Sequence, residues 1–240
     1  VIGVPLEITE VERKAVEDVA LSAGARGVFL VEEPMAAAIG ARLPIEEADG
    51  NMIVDMGGGT TQIAVISLSG IVTWKTLTIA GDELNKNIIQ YAKEIFNLII
   101  GEKQAENIKK RIGSAYKLEQ GQQMEMRGRD ILSGLPKEVI ITDEHVREAT
   151  FKSVKTIVEN IKAALENTPP ELVADIYERG LILCGGGALL QGIDRLIAEY
   201  TAIPVRIADD PLTCLARGAG ALLGNPSLLK EVALDTEHTF

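Results

Sequence analysis

A chain of 240 residues with 46% hydrophobic and 25% charged residues is long enough to bury a sizeable core, as one large domain or two smaller ones. Its net charge of -11 excludes a duplex nucleic-acid surface, which needs clustered Lys and Arg to displace counterions. Two cysteines, Cys184 and Cys214, and two histidines, His145 and His238, lack ligand spacing, so a Cys/His metal site is not expected and a reduced, cytosolic compartment fits best. The short basic run Lys109-Lys110-Arg111 reads as a solvated helix face. No apolar run approaches the roughly 20 residues that span a bilayer, and no signal peptide is visible.

VIGVP opens the chain as a short β-branched strand closed by Pro5, more like the end of a strand than a natural beginning, which predicts that an N-terminal portion is missing. Thr9 and Glu12 have capping-box spacing, and Val16, Val19 and Ala20 precede Gly24, so residues 9–23 are predicted helical. GVFLV, residues 27–31, is a buried strand, and Pro34 sits in the first turn of a small-residue helix. Strand, helix, strand, helix is an α/β pattern.

Residues 51–79 differ: NMIVDM, TQIAVISL and IVTWKTLTI follow one another across Gly-rich or Ser-Gly turns, which predicts a meander of strands. Asp82 is placed to cap the next helix, predicted through residue 98, and residues 102–115 form a second, charged helix. The polar stretch 117–141, with MEMRGRD and KEVIIT around a turn, predicts a small inserted subdomain. A long helix from Thr142 to Leu165 ends before Pro169-Pro170. LILC is a buried strand that enters a glycine turn and the helix ALLQGIDRLI, and IPVRI is another strand. A helix is predicted from Pro211, and the tail after Pro226 is expected to be loosely held.

Phosphate tails are approached by backbone N–H groups, and glycine allows both that closeness and unusual backbone angles. Gly57, Gly58 and Gly59 stand at the tip of a strand hairpin, Thr60 and Thr61 add hydroxyls, and Asp55 ends the first strand, where it is placed to hold Mg2+ through water. Taken alone, this is as readily a glycine hairpin with no ligand. Gly185, Gly186 and Gly187 lie between a strand and a helix, with amides at a helix N-terminus. No Gly-Lys-Ser/Thr or G-x-G-x-x-G pattern accompanies them. Glu32 and Glu33 end a strand, where open α/β sheets place their chemistry, although acidic residues in a first helical turn also suit the macrodipole.

The order VEEPMAAAIGA, VDMGGGTTQIAVIS, AENIKKRIGSA, LILCGGGALLQGIDRL and DDPLTCLARGAG resembles the actin, heat-shock-chaperone and sugar-kinase superfamily, and within it the MreB/Mbl family of bacterial actin-like cytoskeletal proteins. The resemblance runs from VIGVP to about residue 224. It implies an actin-like ATPase (ribonuclease H-like) α/β fold, with a mixed sheet flanked by helices and a small inserted α+β subdomain. It further implies that residues 1–47 are a remnant of subdomain IA, 48–83 and 148–214 form subdomain IIA, 84–147 form IIB, and 215–240 are a C-terminal helix returning to IA plus a tail.

The resemblance assigns roles by motif. Gly57, Gly58, Gly59 and Thr60 would cradle the β- and γ-phosphates of ATP, Asp55 would hold Mg2+ through water, and Glu33 would position the hydrolytic water. Glu106 and Lys109, one helical turn apart, would bracket ribose and adenine, with Gly185, Gly186, Gly187 and Ala188 opposite; without the resemblance they read as an exposed ion pair. Gln62 stands where members often have Glu, and Cys184 where many have Thr. The family's first phosphate motif, an Asp-x-Gly-Thr hairpin, is absent from this stretch, as are subdomain IB, most of IA and the membrane-touching segments; nucleotide binding by the stretch alone is expected to be poor.

The implied function is an ATP-binding, filament-forming protein that organises peptidoglycan synthesis and rod shape, with slow hydrolysis linked to polymerisation. Its implied partners are itself, in homopolymers, and the elongation proteins of the inner membrane, with no nucleic acid; its place is the cytoplasm, at the inner face of the cell membrane. A chaperone-type ATPase, which should continue into a substrate domain, a sugar or acetate kinase, and a non-catalytic interaction module are the alternatives.

Overall fold

The computed structural model describes residues 1–234. Its first unit is β1 (Ile2–Val4), α1 (Glu10–Ser22), β2 (Leu30–Glu32) and α2 (Glu33–Gly40), with β1 and β2 parallel. The predicted capping box forms: Glu12 N donates to Thr9 Oγ1 at 3.3 Å, and Thr9 N donates back to the Glu12 carboxylate at 2.9 Å. Thr9→Ala is expected to cost about 1 kcal/mol, read as a lowered denaturation midpoint with an unchanged slope. The second strand begins at Leu30, not at residue 27, because its pairing partner β1 is only three residues long.

A mixed five-stranded sheet follows in the order β10-β9-β3-β4-β5, built from β3 (Asn51–Met56), β4 (Thr61–Ser67), β5 (Gly70–Leu77), β9 (Leu181–Cys184) and β10 (Val205–Ile207). The meander β3-β4-β5 is antiparallel, while β9 runs parallel to both β3 and β10. Alternate residues serve opposite layers. Met52, Val54, Ile63 and Val65 pack under α5 (Asp143–Glu166) and α7 (Ile193–Thr201), whereas Ile53, Ala64 and Ile66 pack on α2 and α8 (Cys214–Gly224). A strand covered on both faces reads as an unbroken apolar run, which is how NMIVDM and TQIAVIS appear. α6 (Pro170–Arg179) leads into β9.

The predicted insertion is an α+β unit with its own core. α3 (Gly81–Phe96) and α4 (Glu102–Ile112) pack on an antiparallel sheet of β6 (Leu98–Ile99), β7 (Gln123–Asp130) and β8 (Pro136–Thr142), around Ile88, Leu98, Ile108, Met126 and Ile141. Two details differ from the sequence reading. Asp82 does not cap α3, whose N-cap is Ala80 without a side-chain bond; instead Gly81 N and Asp82 N donate to the carbonyls of Gly57 and Gly58 at 3.2 and 2.9 Å. The helix then stops at Phe96 because Asn97 adopts a left-handed φ of 51°.

The segment after Pro226 is also better held than expected. α9 (Pro226–Val232) buries Leu228, Leu229 and Val232, and Ala233 bridges to Val31. The remainder of that predicted tail, with His238, lies outside the described residues. Among the described residues, no helix is long and apolar enough to cross a membrane.

Candidate functional site

The hairpin between β3 and β4 places its glycine tip against the N-terminus of α3. Gly57 N closes the turn on Thr60 O at 2.9 Å, and the Gly57 and Gly58 carbonyls are engaged by α3. Among the described residues, the amides of Gly58 and Gly59 donate to no backbone carbonyl. A Cβ at Gly59 would meet nothing within 4 Å, and one at Gly58 only the Asp82 carboxylate at 3.9 Å. Neither has a positive φ, so the fold itself does not demand glycine at these two positions. Open space beside free amides is what a close-lying anion requires.

The second glycine turn is different in kind. Gly185 has φ 77°, and a Cβ there would lie 2.5 Å from both Asp55 Oδ1 and Met56 O. This glycine is required by packing, and it brings the turn flush against Asp55. The following residues do not enter the predicted helix directly: Gly186–Leu189 form a 3-10 turn, and α7 begins only at Ile193, after Gly192 adopts a left-handed φ of 73°. Gly185→Ala is expected to lower stability by about 2 kcal/mol and to displace Asp55, whereas Gly59→Ala should leave the melting temperature within about 1 °C while weakening anion binding. Calorimetry with and without nucleotide separates the two.

The jaws meet in a cavity of about 320 Å³ lined by Glu33, Asp55, Gly57, Gly58, Thr60, Gln62, Gly185 and Gly186, with Pro211, Leu212, Cys214 and Leu215 from the segment entering α8. Here too a prediction is refined: Pro211–Thr213 form a 3-10 turn and α8 starts at Cys214. The larger cavity of about 1300 Å³, between α3, α5 and α7, has an aromatic rim of Tyr91, Tyr116, Phe151 and Tyr200 and contains none of the predicted site residues. The smaller one has Gly58, with its free amide, and the carboxylates of Glu33 and Asp55.

Glu33 is the first residue of α2 and half-buried. Gln62 Nε2 donates to Glu33 Oε2, and Gln62 Oε1 accepts from Leu6 N at 3.3 Å, so Gln62 ties Glu33 to the start of the chain. Asp55 is the register partner of both Gln62 and Cys184. Burial pushes its carboxyl above the ordinary range, a hydrogen bond from Cys184 opposes this, and the nearby Glu33 charge adds to it. A folded-state value above the unfolded one means that Asp55 favours folding in acid and loses that contribution as pH rises through its raised value. Asp55→Asn is therefore expected to raise the ligand-free melting temperature at pH 7, with the gain vanishing in acid.

Glu106 and Lys109 bond to different partners. Glu106 is bonded to Lys110 at 2.6 Å, which with its charge lowers the Glu106 pKa, and it faces solvent. Lys109 is not part of a solvated basic face: its Nζ donates to Gly81 O at 2.6 Å, beside the hairpin tip, and burial depresses its pKa against the raising charges of Glu106 and Asp82. Gly187 abuts Met56, and Ala188 is wholly buried, so neither these two nor Gly59, Glu106 and Lys109 line the cavity. Cys184 and Cys214, read from the sequence only as lacking ligand spacing, pack in one core cluster. Proximity between chain positions 30 apart had no signal in composition or spacing. Leu212 and Leu215 were carried in the DDPLTCLARGAG motif without a role of their own.

The residues fit a Mg2+–phosphate group. Among the described residues there is no cluster of three or more His, Cys, Asp or Glu to hold a cation directly. A single carboxylate beside a phosphate cradle suits Mg2+, which retains its water and takes phosphate oxygens as ligands.

A family model described as MreB/Mbl protein matches residues 1–231. The chain is 50% identical over 220 residues to the cell shape-determining protein MreB of Escherichia coli K12, covering 92% of this chain and 63% of that protein. It is 46% identical over 221 residues to the cell shape-determining protein Mbl of Bacillus subtilis 168, covering 92% and 66%. The chain thus spans about two thirds or less of the length of these relatives. The crystal structure of Spiroplasma citri MreB5 bound to AMPPNP superposes with a TM-score of 0.91 at 39% identity, over 96% of this chain and 68% of that one; the expected actin-like fold is therefore observed.

Proposed function

Since the chain belongs to the MreB/Mbl family, we propose that its glycine-walled cavity binds ATP with Mg2+, and that the complete protein polymerises into filaments that organise cell-wall synthesis and rod shape. The observation that carries the reading is the convergence of Glu33, Asp55 and the two glycine turns on one cavity. The naming of relatives as cell shape-determining, and the AMPPNP- and ADP-bound states of the S. citri protein, support it.

In this reading the free amides of Gly58 and Gly59, with Gly57 and Thr60, hold the β- and γ-phosphates, where neutral donors and a helix N-terminus suit negative charge. Asp55 orients Mg2+ through water, and the ion supplies neutralisation of phosphate charge when bound. Glu33, oriented by Gln62, accepts a hydrogen bond from the attacking water. Gly185 and Gly186 close the opposite wall, Gly187 and Ala188 support it, and Lys109 and Glu106 border the ribose and adenine. The same reading assigns residues 1–47 to a remnant of subdomain IA, 48–83 with 148–214 to IIA, 84–147 to IIB, and 215–240 to a C-terminal helix returning to IA plus a tail. Slow hydrolysis coupled to assembly, self-association into homopolymers, and contact with elongation proteins at the inner face of the membrane belong to the complete protein.

The test is a Mg2+ titration of ATP binding by fluorescence, on the complete protein and on this chain. Asp55→Ala is expected to abolish the Mg2+-dependent part of the affinity, and an unaltered titration refutes its role. Because the Asp55 carboxyl is shifted upward, Mg2+-dependent binding should also weaken as pH falls, earlier than an ordinary aspartate would cause. Light scattering of the complete protein with ATP and Mg2+ tests assembly.

A further inference from the structure

Cys184 ends β9 and Cys214 begins α8; they are 0% and 1% exposed, and both are free thiols. They pack in one core cluster, where each thiol lies within electrostatic reach of the other and of Asp55. The fold enforces this meeting. Cys184 is the register partner of Asp55, and Gly185 N donates to Pro211 O at 2.9 Å, which fastens the residue after Cys184 to the turn that leads into Cys214. The two thiols differ in surroundings: Cys214 borders the cavity, and its sulfur accepts from Arg217 Nη2 at 3.3 Å.

We propose that Cys184 and Cys214 form an oxidisable dithiol in the cavity wall, which hydrogen peroxide converts to an intramolecular disulfide. Cys214 is the attacking sulfur, because the neighbouring Cys184 thiol and then the Arg217 guanidinium favour its thiolate, and because it borders the cavity through which a small oxidant enters. An S–O bond forms as the O–O bond breaks; one water leaves and Cys214 becomes a sulfenic acid. The Cys184 sulfur then attacks it, forming S–S, breaking S–O and releasing a second water. The two thiols lose two electrons and two protons, and one peroxide takes them up, giving two waters. The bridge would withdraw the Cys184 S–H from Asp55 and pin the start of α8 to β9.

A nucleotide seated between the jaws would shield Cys214 from the oxidant; this clause rests on the ATP reading of the cavity. At a nucleotide concentration about ten times its Kd, the free fraction, and with it the oxidation rate, falls about tenfold.

Peroxide treatment of the native chain, followed by alkylation, digestion and mass spectrometry, tests the dithiol. The expected product is one peptide pair joined through Cys184 and Cys214, lighter by two hydrogens and restored by dithiothreitol. Cys184→Ser should remove the link and leave Cys214 as its sulfenic or sulfinic acid. Intact thiols in the folded wild-type chain, Cys214 oxidised without a link, or links only between molecules would overturn the proposal, and the wild-type map decides this even if the variant fails to fold. Repeating the oxidation on the complete protein with AMPPNP and Mg2+, at a concentration shown to saturate it, separates the two readings. A tenfold slowing supports shielding, whereas an unchanged rate with the link still forming refutes nucleotide seating over Cys214 and leaves the dithiol established.

Discussion

Replacing Glu33 by alanine in the complete protein is expected to lower phosphate release by about 10²- to 10⁴-fold while ATP affinity changes by less than about threefold. The asymmetry follows from position. Glu33 begins α2 at the carboxyl end of β2, half-buried, with its carboxylate anchored by Gln62 and facing the cavity that contains Asp55. The amides proposed to hold phosphate belong to the hairpin and, among the described residues, make no hydrogen-bond contact with Glu33, so binding is expected to survive its loss. A water beside the γ-phosphate would lose its acceptor, and positioning is most of what phosphoryl transfer asks of a protein. The structural side effect is small, since an acidic group in a first helical turn is worth about 0.3–1 kcal/mol. Single-turnover phosphate release and equilibrium nucleotide binding, measured separately, check the prediction; equal turnover in the variant removes Glu33 from the mechanism. Gln62→Ala should show a milder loss of turnover, because it frees the carboxylate without deleting it.

Gly218→Ala is expected to be the most damaging single methyl in the chain, at about 3 kcal/mol or more, with a fall in melting temperature of roughly 6–12 °C. A Cβ at Gly218 would lie 1.7 Å from Ala36 O, and one at Gly40 would lie 1.8 Å from Cys214 O. α2 and α8 therefore cross backbone to backbone, and a methyl must drive two helices apart because no flexible side chain is there to yield. Their separation would also move Cys214 and Leu215 in the cavity wall. Gly220, in the same helix, is the internal control. A Cβ there meets nothing within 4 Å, so Gly220→Ala should stabilise by about 0.5–1 kcal/mol through helix propensity alone. Thermal unfolding of both variants reads the contrast, and a neutral Gly218→Ala would refute the close crossing.

The small-residue run in MAAAIGA and the spacing in ARGAGALLG marked both helices, yet nothing in either sequence says that they touch each other. The same holds at the site. Period and punctuation made the β-hairpin, the capping box at Thr9, the inserted unit and the strand before each glycine turn legible, because those depend on residues within a few positions. The start of α3 shows the complementary case: Asp82 is a good local capping residue, but the carbonyls of Gly57 and Gly58 take the first amides of the helix. Likewise Glu106 and Lys109 share a helical face in sequence, while in the fold Lys109 turns to Gly81 and Glu106 to Lys110.

By itself, then, the chain determined its family, its α/β alternation and the short motifs whose chemistry is local: free amides at a glycine tip, a carboxylate at a strand end, an acid before a proline. Tertiary structure alone decided which of those motifs share a cavity, which glycines serve the fold and which leave space for a ligand, and that two distant thiols stand beside Asp55. The physical reason is one of range. Backbone angles and hydrogen-bonded turns are fixed by neighbours in sequence, whereas contact across β3, β9 and α8 is fixed by close packing of whole layers, whose register no short stretch of sequence carries.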